Sequence, residues 1–367
     1  MGTPSYEDAG VKDQGEAISA VERLLGPTFR FPRDAEVITR FGHYASVLKV
    51  APDLAIAVST DGAGSKTMIA SALDRYDTIG FDCMAMNVND LICVGARPIA
   101  LVDYVGVHTL ESHRMSEILS GLAAAAEVAG VAIPGGEVAQ LPDIIGSDGR
   151  SPGDERAFDL VGTAVGVLHP DKLILGREIT PGDAIIGIHS TGIHSNGMTL
   201  ARKVLLETGG YELTEHFELL GRTLGEELLE PTAIYVRAVT DLWEKGIDTR
   251  GLVHITGDGL TNLCRLEARV GYSIEQLPEP SPIFGLIQDV GNVPEEEMFR
   301  VFNMGVGFVV VVPTEQADDA LGVITAAGHE AQRLGSVTEG GGEVRLESAG
   351  LVGALVEGKS TFTKVLD

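Results

Sequence analysis

Short apolar segments alternate with longer helical patterns in the first half of this chain. The pattern predicts strands over residues 54–58, 98–104, 131–133 and 158–168, and helices over residues 79–93 and 112–128. Polar residues collect after these strands, first at Ser59-Thr60-Asp61 and later at Pro134-Gly135-Gly136. Alternating strands and helices are typical of an α/β fold.

The pattern begins again after a polar turn at residues 170–172. We take this turn as the boundary between a domain of residues 1–170 and a domain of residues 171–367. Strands are predicted over residues 184–189, 306–312 and 343–346. Helices are predicted from Ser195 or Asn196 to Glu207, from Pro231 to Trp243, and over residues 315–327.

The composition fits two folded domains. The 367 residues exceed the roughly 250–300 at which one hydrophobic core usually stops growing. The spacing of the three cysteines, Cys83, Cys93 and Cys264, predicts neither a disulfide framework nor a zinc ribbon. We therefore expect the protein to reside in the reducing cytoplasm. Acidic residues near the start argue against a signal peptide. No apolar run is long enough to predict a membrane span.

The chain is strongly acidic. Its 53 acidic and 27 basic residues give a formal charge of −26, which repels nucleic acid and anionic membrane surfaces. Most of this charge is expected to lie on a solvated cytosolic surface. A phosphate-binding site would need local Mg²⁺, lysines or helix N-termini to reverse the potential.

The segment from Ser59 to Thr67 follows a strand and contains a carboxylate, two glycines and a lysine. A metal and phosphate loop needs these groups, but a plain Asp-Gly turn explains them equally well. Ser65 stands where a P-loop requires glycine before the lysine, and Thr67 stands where a dinucleotide fingerprint requires its last glycine. Kinase and dehydrogenase functions therefore lose their main support.

Three carboxylates lie at strand or helix ends of the first half: Asp61, Asp90 and Glu137. Asn87, Asn89 and Asp90 lie within an apolar helical pattern, where short polar side chains are unfavourable. Either they bind a ligand or they satisfy a buried helix end. Carboxylates suit Mg²⁺, so the set predicts a magnesium site.

Two glycine-containing turns in the second half carry histidines. Ile193-His194-Ser195-Asn196-Gly197 precedes a helix, whose N–H groups could hold a phosphate while His194 acts at the reacting centre. An ordinary Ser or Asn cap is the simpler alternative. The turn from His254 to Gly259 fits either close ligand approach or a tight turn alone.

Taken together, these segments resemble the phosphoribosylformylglycinamidine cyclo-ligases, also called aminoimidazole ribonucleotide synthetases. The resemblance spans nearly the whole chain and is carried by residues 6–11, 61–66, 85–90, 95–98, 101–104, 135–137, 190–197, 231–236, 254–257 and 302–307. Arg40-Phe41-Gly42-His43-Tyr44, Ser65 and Asn87 are similar to the archaeal branch. Ten segments in order are more specific than any single glycine motif.

The resemblance implies a two-domain α/β fold with mixed sheets packed with helices, and a cytoplasmic homodimer that pairs through its N-terminal domains. It implies an ATP- and Mg²⁺-dependent closure of formylglycinamidine ribonucleotide to aminoimidazole ribonucleotide in purine biosynthesis, through a phosphorylated amide. Catalysis is expected from His194, His254 and Lys66, and the metal from Asp61, Asp90 and Glu137. ATP or substrate is expected to bind Gly42, His43, Gly62, Gly64, Ser65, Asn87, Asn89, Ser195, Asn196, Gly197, Thr256 and Gly257.

The chain departs from the family pattern at Glu7, where many members carry lysine, at Val138-Ala139-Gln140, and at Asp258. The carboxylates, Lys66 and both histidines are in place. Thiamine-monophosphate kinase and a non-catalytic nucleotide-binding protein are the alternatives. Selenophosphate synthetase is disfavoured because its nucleophilic cysteine is expected near the N-terminus, and the first cysteine here is Cys83.

Overall fold

A computed structural model describes residues 15–146, 154–356 and 359–365. Segment 6–11 of the resemblance, including Glu7, lies outside the described residues. The described residues form a six-stranded sheet from the first half and an eight-stranded sheet from the second, each packed with helices. The predicted α/β fold is therefore confirmed, and the predicted boundary at residues 170–172 falls between the two sheets.

The six-stranded sheet has the order β1-β2-β3-β6-β4-β5. Its helix α3 packs on β3 and β6. Its strands are β1 (Glu36–Val37), β2 (Ser46–Ala51), β3 (Leu54–Gly62), β4 (Arg97–Val107), β5 (Gly136–Gln140) and β6 (Phe158–Leu168). The helices of this half are α1 (Gly15–Leu25), α2 (Lys66–Leu73), α3 (Ile79–Cys93) and α4 (Ser112–Ala129), with 3₁₀ turns at Gly26–Arg30 and Asp154–Arg156.

The eight-stranded sheet has the order β10-β12-β7-β13-β11-β14-β15-β16, and β8 pairs only with β9. The strands are β7 (Ala184–His189), β8 (His216–Phe217), β9 (Arg222–Thr223), β10 (Gly251–His254), β11 (Val270–Ile274), β12 (Val306–Val312), β13 (Ala331–Glu339), β14 (Glu343–Leu346), β15 (Leu351–Val356) and β16 (Lys359–Lys364). The helices are α5 (Met198–Arg202), continued by a π-helical turn at Lys203–Thr208, α6 (Leu224–Leu228), α7 (Val236–Glu244), α8 (Pro282–Gly291), α9 (Glu295–Val301) and α10 (Ala317–Ala326). Short 3₁₀ helices occupy Pro170–Lys172, Gly259–Arg265 and Thr314–Gln316.

Strong apolar patterns predicted their elements well. The bounds of α3, β6, β7, β12 and β14 match the predicted residues, and β3 and β4 extend beyond them. The strand predicted at residues 131–133 is wrong, because only a single bridge joins Ala132 to Ala100 and β5 forms at Gly136 instead.

The helix predicted from Pro231 is also wrong at its start, since α7 begins at Val236. The N–H groups of Thr232 and Tyr235 donate to Asp82 and Asn89 of α3, at 2.9 and 3.0 Å. Because these donors are already used in tertiary contacts, the segment stays outside the helix despite its local preference.

Helix α3 is buried along nearly its whole length and contacts both β3 and β10, so it joins the two halves of the molecule. Its polar residues Asp82, Asn87 and Asn89 are each fully buried. Each makes hydrogen bonds outside the helix, which explains how a buried helix tolerates them. None of the described helices has the length and apolar character needed to cross a bilayer.

Candidate active site

Asp61 lies at the end of β3, directly before the loop at residues 63–65, and its backbone is held by α3. The Asp61 N–H donates to Asn87 Oδ1 and the Asp61 carbonyl accepts from Asn87 Nδ2, both at 3.0 Å. The Asp61 carboxylate accepts from the Gly62 N–H at 2.7 Å. The predicted ligand-binding residue Asn87 therefore fixes the strand end that carries Asp61.

The same loop lies against the second half of the chain. Gly64 has a left-handed backbone with φ +63°, and an added Cβ there would lie 4.0 Å from the Ser195 carbonyl. The Ser65 hydroxyl lies 3.0 Å from the Thr199 hydroxyl. The structure thus brings together the two segments predicted to bind phosphate groups.

Lys66 is fully buried at the start of α2. Its ammonium donates to Asp82 Oδ1 at 2.9 Å and to the Glu230 carbonyl. The predicted catalytic lysine is therefore paired inside the protein, and Asp82 is a partner that the sequence motifs did not indicate. Only the position of Asp82 within the apolar pattern of α3 could have drawn attention to it.

Asp90, near the end of α3, meets His254 at the end of β10. His254 Nδ1 lies 2.9 Å from Asp90 Oδ1, and the Asp90 side chain keeps 15% of its surface exposed. Burial raises the pKa of Asp90 above its usual value, and the hydrogen bond to His254 opposes this shift. The pair joins one predicted metal ligand to one predicted catalytic residue.

Asp61 and Asp90 are electrostatic neighbours. Burial raises the pKa of Asp61, and the negative charge of Asp90 raises it further, whereas the Gly62 N–H and His254 oppose the shift. Two carboxylates that disfavour each other's charge would be stabilised by a bound dication. This electrostatic arrangement fits the predicted magnesium site.

Glu137 does not join these two carboxylates within one chain. It lies on β5, separated from β3 by β6 and β4, which corresponds to about 14 Å at the usual strand spacing. It is exposed and pairs in register with Tyr104, whose neighbour Asp103 points to the opposite, buried face. Within the described ranges, no three His, Cys, Asp or Glu side chains form a group that could hold a metal ion.

His194 is buried and has a left-handed backbone with φ +64°, which is uncommon for a residue with a side chain. Its Nε2 accepts from the Thr191 N–H at 3.1 Å. Burial lowers the pKa of His194 well below its usual value, and the nearby His254 and Lys66 side chains lower it further. The ring is therefore neutral, with its proton on Nδ1.

The 195–197 turn does not form a side-chain cap. Gly197 immediately precedes α5 with φ +81°, and no side chain bonds to the first N–H groups of the helix. The Ser195 hydroxyl instead donates to Asp82 at 3.3 Å, and the Asn196 amide faces Met86 Sδ at 3.8 Å. The simple-cap alternative is therefore wrong, whereas a phosphate role for the turn stays a prediction.

The predicted binding residues His43 and Thr256 each contact a polar side chain of the second half of the chain. The Thr256 N–H donates to Asn262 Oδ1 at 2.8 Å, and His43 Nε2 lies 3.4 Å from Glu267. Asp258 pairs with Arg265 at 2.6 Å, and the Arg265 guanidinium lies 5.4 Å from the centre of the Tyr44 ring. An added Cβ at Gly257 would lie 3.3 Å from Asn196 Oδ1, so the 196 and 257 turns are adjacent.

Family models match both halves of the chain. The N-terminal domain of AIR synthase related proteins matches residues 42–168, and the C-terminal domain of the same proteins matches residues 180–347. A phosphoribosylformylglycinamidine cyclo-ligase of Thermococcus gammatolerans is 47% identical over 352 residues, covering 95% of this chain and 99% of that protein. The enzyme of the same name from Methanothermobacter thermautotrophicus is 45% identical over 348 residues, covering 94% and 97%.

Solved structures share the fold at lower identity. AaThiL complexed with AMPPCP and TMP has a TM-score of 0.61 and 17% identity, covering 96% of this chain and 98% of that one. The protein tt0281 from Thermus thermophilus has a TM-score of 0.58 and 22% identity, covering 92% and 97%. The family matches and the archaeal relatives together show that this chain belongs to the phosphoribosylformylglycinamidine cyclo-ligase family.

Proposed function

We propose that this protein closes the imidazole ring of aminoimidazole ribonucleotide from formylglycinamidine ribonucleotide, with ATP as the phosphate donor. The formamide oxygen attacks the γ-phosphorus of ATP and ADP leaves. The amidine nitrogen then attacks the activated carbon, and the former formamide oxygen leaves in inorganic phosphate. Phosphorylation thus converts a poor leaving group into a good one, and both reacting groups belong to one molecule.

The observation that carries this proposal is the proximity of Asp61, Asp90 and His254 where α3 of the first half meets β10 of the second half. The loop after β3 and the turn before α5 lie beside this cluster. Carboxylates for a metal, backbone N–H groups for phosphates and histidines for proton transfer are therefore brought to one place. Phosphoryl transfer relies mainly on such positioning and charge.

Asp61 and Asp90 are proposed to hold Mg²⁺, because burial raises the pKa of both carboxylates and a bound dication would stabilise their charged forms. When bound, the ion would neutralise charge on the triphosphate. Asn87 holds the backbone of Asp61, and His254 holds Asp90. Glu137 would complete the site only if an assembled enzyme brings it close.

His194 is proposed to donate a hydrogen bond or a proton through Nδ1. The Thr191 N–H occupies Nε2, so Nδ1 carries the proton of the neutral ring. Among the described residues, Nδ1 is a buried polar atom with no hydrogen-bond partner. A polar atom of this kind is suited to a substrate group.

A homodimer is proposed to form through the outer face of the six-stranded sheet. Val58 and Val165 pair on that face, and Val102 and Tyr104 of β4 lie on the same face with 43% and 38% of their surface exposed. Apolar side chains that are exposed together on one face of a sheet are typical of an interface. Glu137 shares this face with Tyr104, so the pairing would place it at the interface.

ADP release with formylglycinamidine ribonucleotide tests the function. The purified protein should release ADP only when both ATP and this substrate are present. Thiamine monophosphate, as the substrate of a kinase, should give no ADP. ADP release with thiamine monophosphate and not with formylglycinamidine ribonucleotide would contradict the proposal.

A further inference from the structure

Asp82 lies in the first turn of α3 and is completely buried. Four donors converge on its Oδ1. They are the Lys66 ammonium at 2.9 Å, the Thr232 N–H at 2.9 Å, the Thr232 hydroxyl at 2.6 Å and the Ser195 hydroxyl at 3.3 Å. A buried carboxylate is tolerated only when it is paired and hydrogen-bonded. Oδ1 of Asp82 meets this requirement with donors from three separate segments, whereas Oδ2 has no hydrogen-bond partner among the described residues.

These three segments surround the candidate active site. Lys66 directly follows the loop after Asp61 and Gly62, Ser195 is adjacent to His194, and Thr232 lies in the irregular segment before α7. Lys66 and Asp82 belong to the half with the six-stranded sheet, whereas Ser195 and Thr232 belong to the other half. One carboxylate oxygen therefore joins the two halves beside the site.

The network is closed by two more contacts. Lys66 also donates to the Glu230 carbonyl, two residues before Thr232, and the Ser195 and Thr232 hydroxyls lie 3.1 Å apart. Because Asp82 and Lys66 are fully buried, neither presents its charged group to solvent. The network can act on a substrate only through the loops that it holds.

We propose that Asp82 is a positioning residue, which fixes the 194–197 turn and the 61–66 loop in one relative orientation. The inference rests on the proposed function, because it assigns the two loops to one reaction. A displacement of about 1 Å at reacting groups lowers turnover by roughly 10²-fold. Loss of this anchor should therefore lower kcat more than it weakens nucleotide binding.

Thr232→Val is the sharpest test, because it removes the 2.6 Å hydrogen bond to Asp82 and leaves the buried ion pair with Lys66. We expect kcat to fall about 10-fold, while the KM for ATP and the Kd for AMPPCP stay within about two-fold. Thr240→Val is the matched control. Thr240 is also buried, but its hydroxyl donates to the Arg237 carbonyl within α7 at 3.1 Å.

Both valine variants should lose a similar few degrees of Tm, and only Thr232→Val should lose kcat. Asp82→Asn should lower kcat by about 10²-fold. If that variant does not fold, Thr232→Val still decides the question. A Thr232→Val enzyme with kcat within about two-fold of wild type would overturn the proposal, as would equal kcat losses in both valine variants.

Amide hydrogen exchange separates this inference from the function on which it rests. Exchange of the 193–199 amides should be faster in Thr232→Val than in wild type and unchanged in Thr240→Val, and this readout needs no turnover. Unchanged exchange in Thr232→Val would overturn the positioning role. A wild-type protein without ring-closing activity would contradict the proposed function, and the exchange data would still decide whether Asp82 holds the turn.

Discussion

His254 Nδ1 lies 2.9 Å from Asp90 Oδ1, and this contact joins the end of β10 to the end of α3. The Asn89 amide faces His254 Nε2 at 3.4 Å, and its orientation is set by bonds to the Ala233 carbonyl and the Tyr235 N–H. Because the amide nitrogen can only donate, Nε2 accepts and Nδ1 carries the proton toward Asp90. The histidine thus holds a carboxylate that we assign to the metal.

Asp90→Asn should lower kcat/KM for ATP by about 10²-fold, because an amide keeps the contact with His254 but loses the charge that attracts Mg²⁺. Raised Mg²⁺ concentration should restore part of the loss. Steady-state ADP release across a magnesium series measures both effects. Asp171→Asn is the control and should behave as wild type, because Asp171 is exposed in the turn that connects β6 to β7. A loss of less than about three-fold in Asp90→Asn would remove this residue from the metal site.

His194→Ala should lower kcat by about 10²–10⁴-fold and leave the Kd for AMPPCP nearly unchanged. The reason is that the ring is proposed to offer a proton at Nδ1 to the reacting group, whereas backbone N–H groups and the metal, not the imidazole, are proposed to hold the nucleotide phosphates. His113→Ala provides the control, since its side chain is 78% exposed on α4. If His194→Ala kept normal turnover and lost only Tm, His194 would be a structural residue.

The free energy of unfolding should depend on pH in a way that reflects the burial of His194. Its pKa lies well below 6.5 in the folded protein, mainly because of burial. As the pH falls below 6.5, the unfolded chain binds a proton at this residue and the folded chain does not. The free energy of unfolding should therefore fall, by up to about 1.4 kcal/mol per pH unit from this one group, until the pH reaches the folded-state pKa.

Urea denaturation at a series of pH values, compared between wild type and His194→Gln, isolates this contribution. The difference in unfolding free energy between the two proteins should change with pH below 6.5 and be constant above it. A difference that is constant throughout would show that His194 titrates alike in the folded and unfolded states.

Val102→Lys should convert the proposed dimer to a monomer, because it places a charge on the face of the six-stranded sheet where Val102 and Tyr104 are exposed. Val128→Lys is the matched control, since Val128 is 54% exposed on α4 and lies outside that face. Light scattering measures both variants. A wild-type protein that is fully active as a monomer would contradict the dimer.

Apolar periodicity alone predicted the elements that build the two cores. Strand β12 has every residue buried, and its continuous apolar sequence predicted its bounds correctly. The segment from Pro231 shows where such reasoning fails. Its N–H groups bond to Asp82 and Asn89, which lie 150 and 146 residues away in sequence from their partners Thr232 and Tyr235. Local helix preference carries no information about contacts between residues that are so far apart in the sequence.

The candidate site was predicted in part, for similar reasons. The order of polar residues along the chain indicated Asp61, Asp90, His194 and His254, and the structure gathers their loops at one contact. The position of Glu137 could not be foreseen, because strand order within the sheet separates β5 from β3. Lys66 was predicted to be catalytic, and its buried partner Asp82 became apparent only from the fold.

The fate of the formamide oxygen decides whether ring closure proceeds through a phosphorylated amide. Substrate labelled with ¹⁸O in the formyl group should be incubated with ATP, Mg²⁺ and the protein, and the products analysed by mass spectrometry. One labelled inorganic phosphate is expected for each imidazole product, because the formamide oxygen attacks phosphorus and leaves with it. Ring closure with unlabelled phosphate, or ADP release without an imidazole product, would contradict this route.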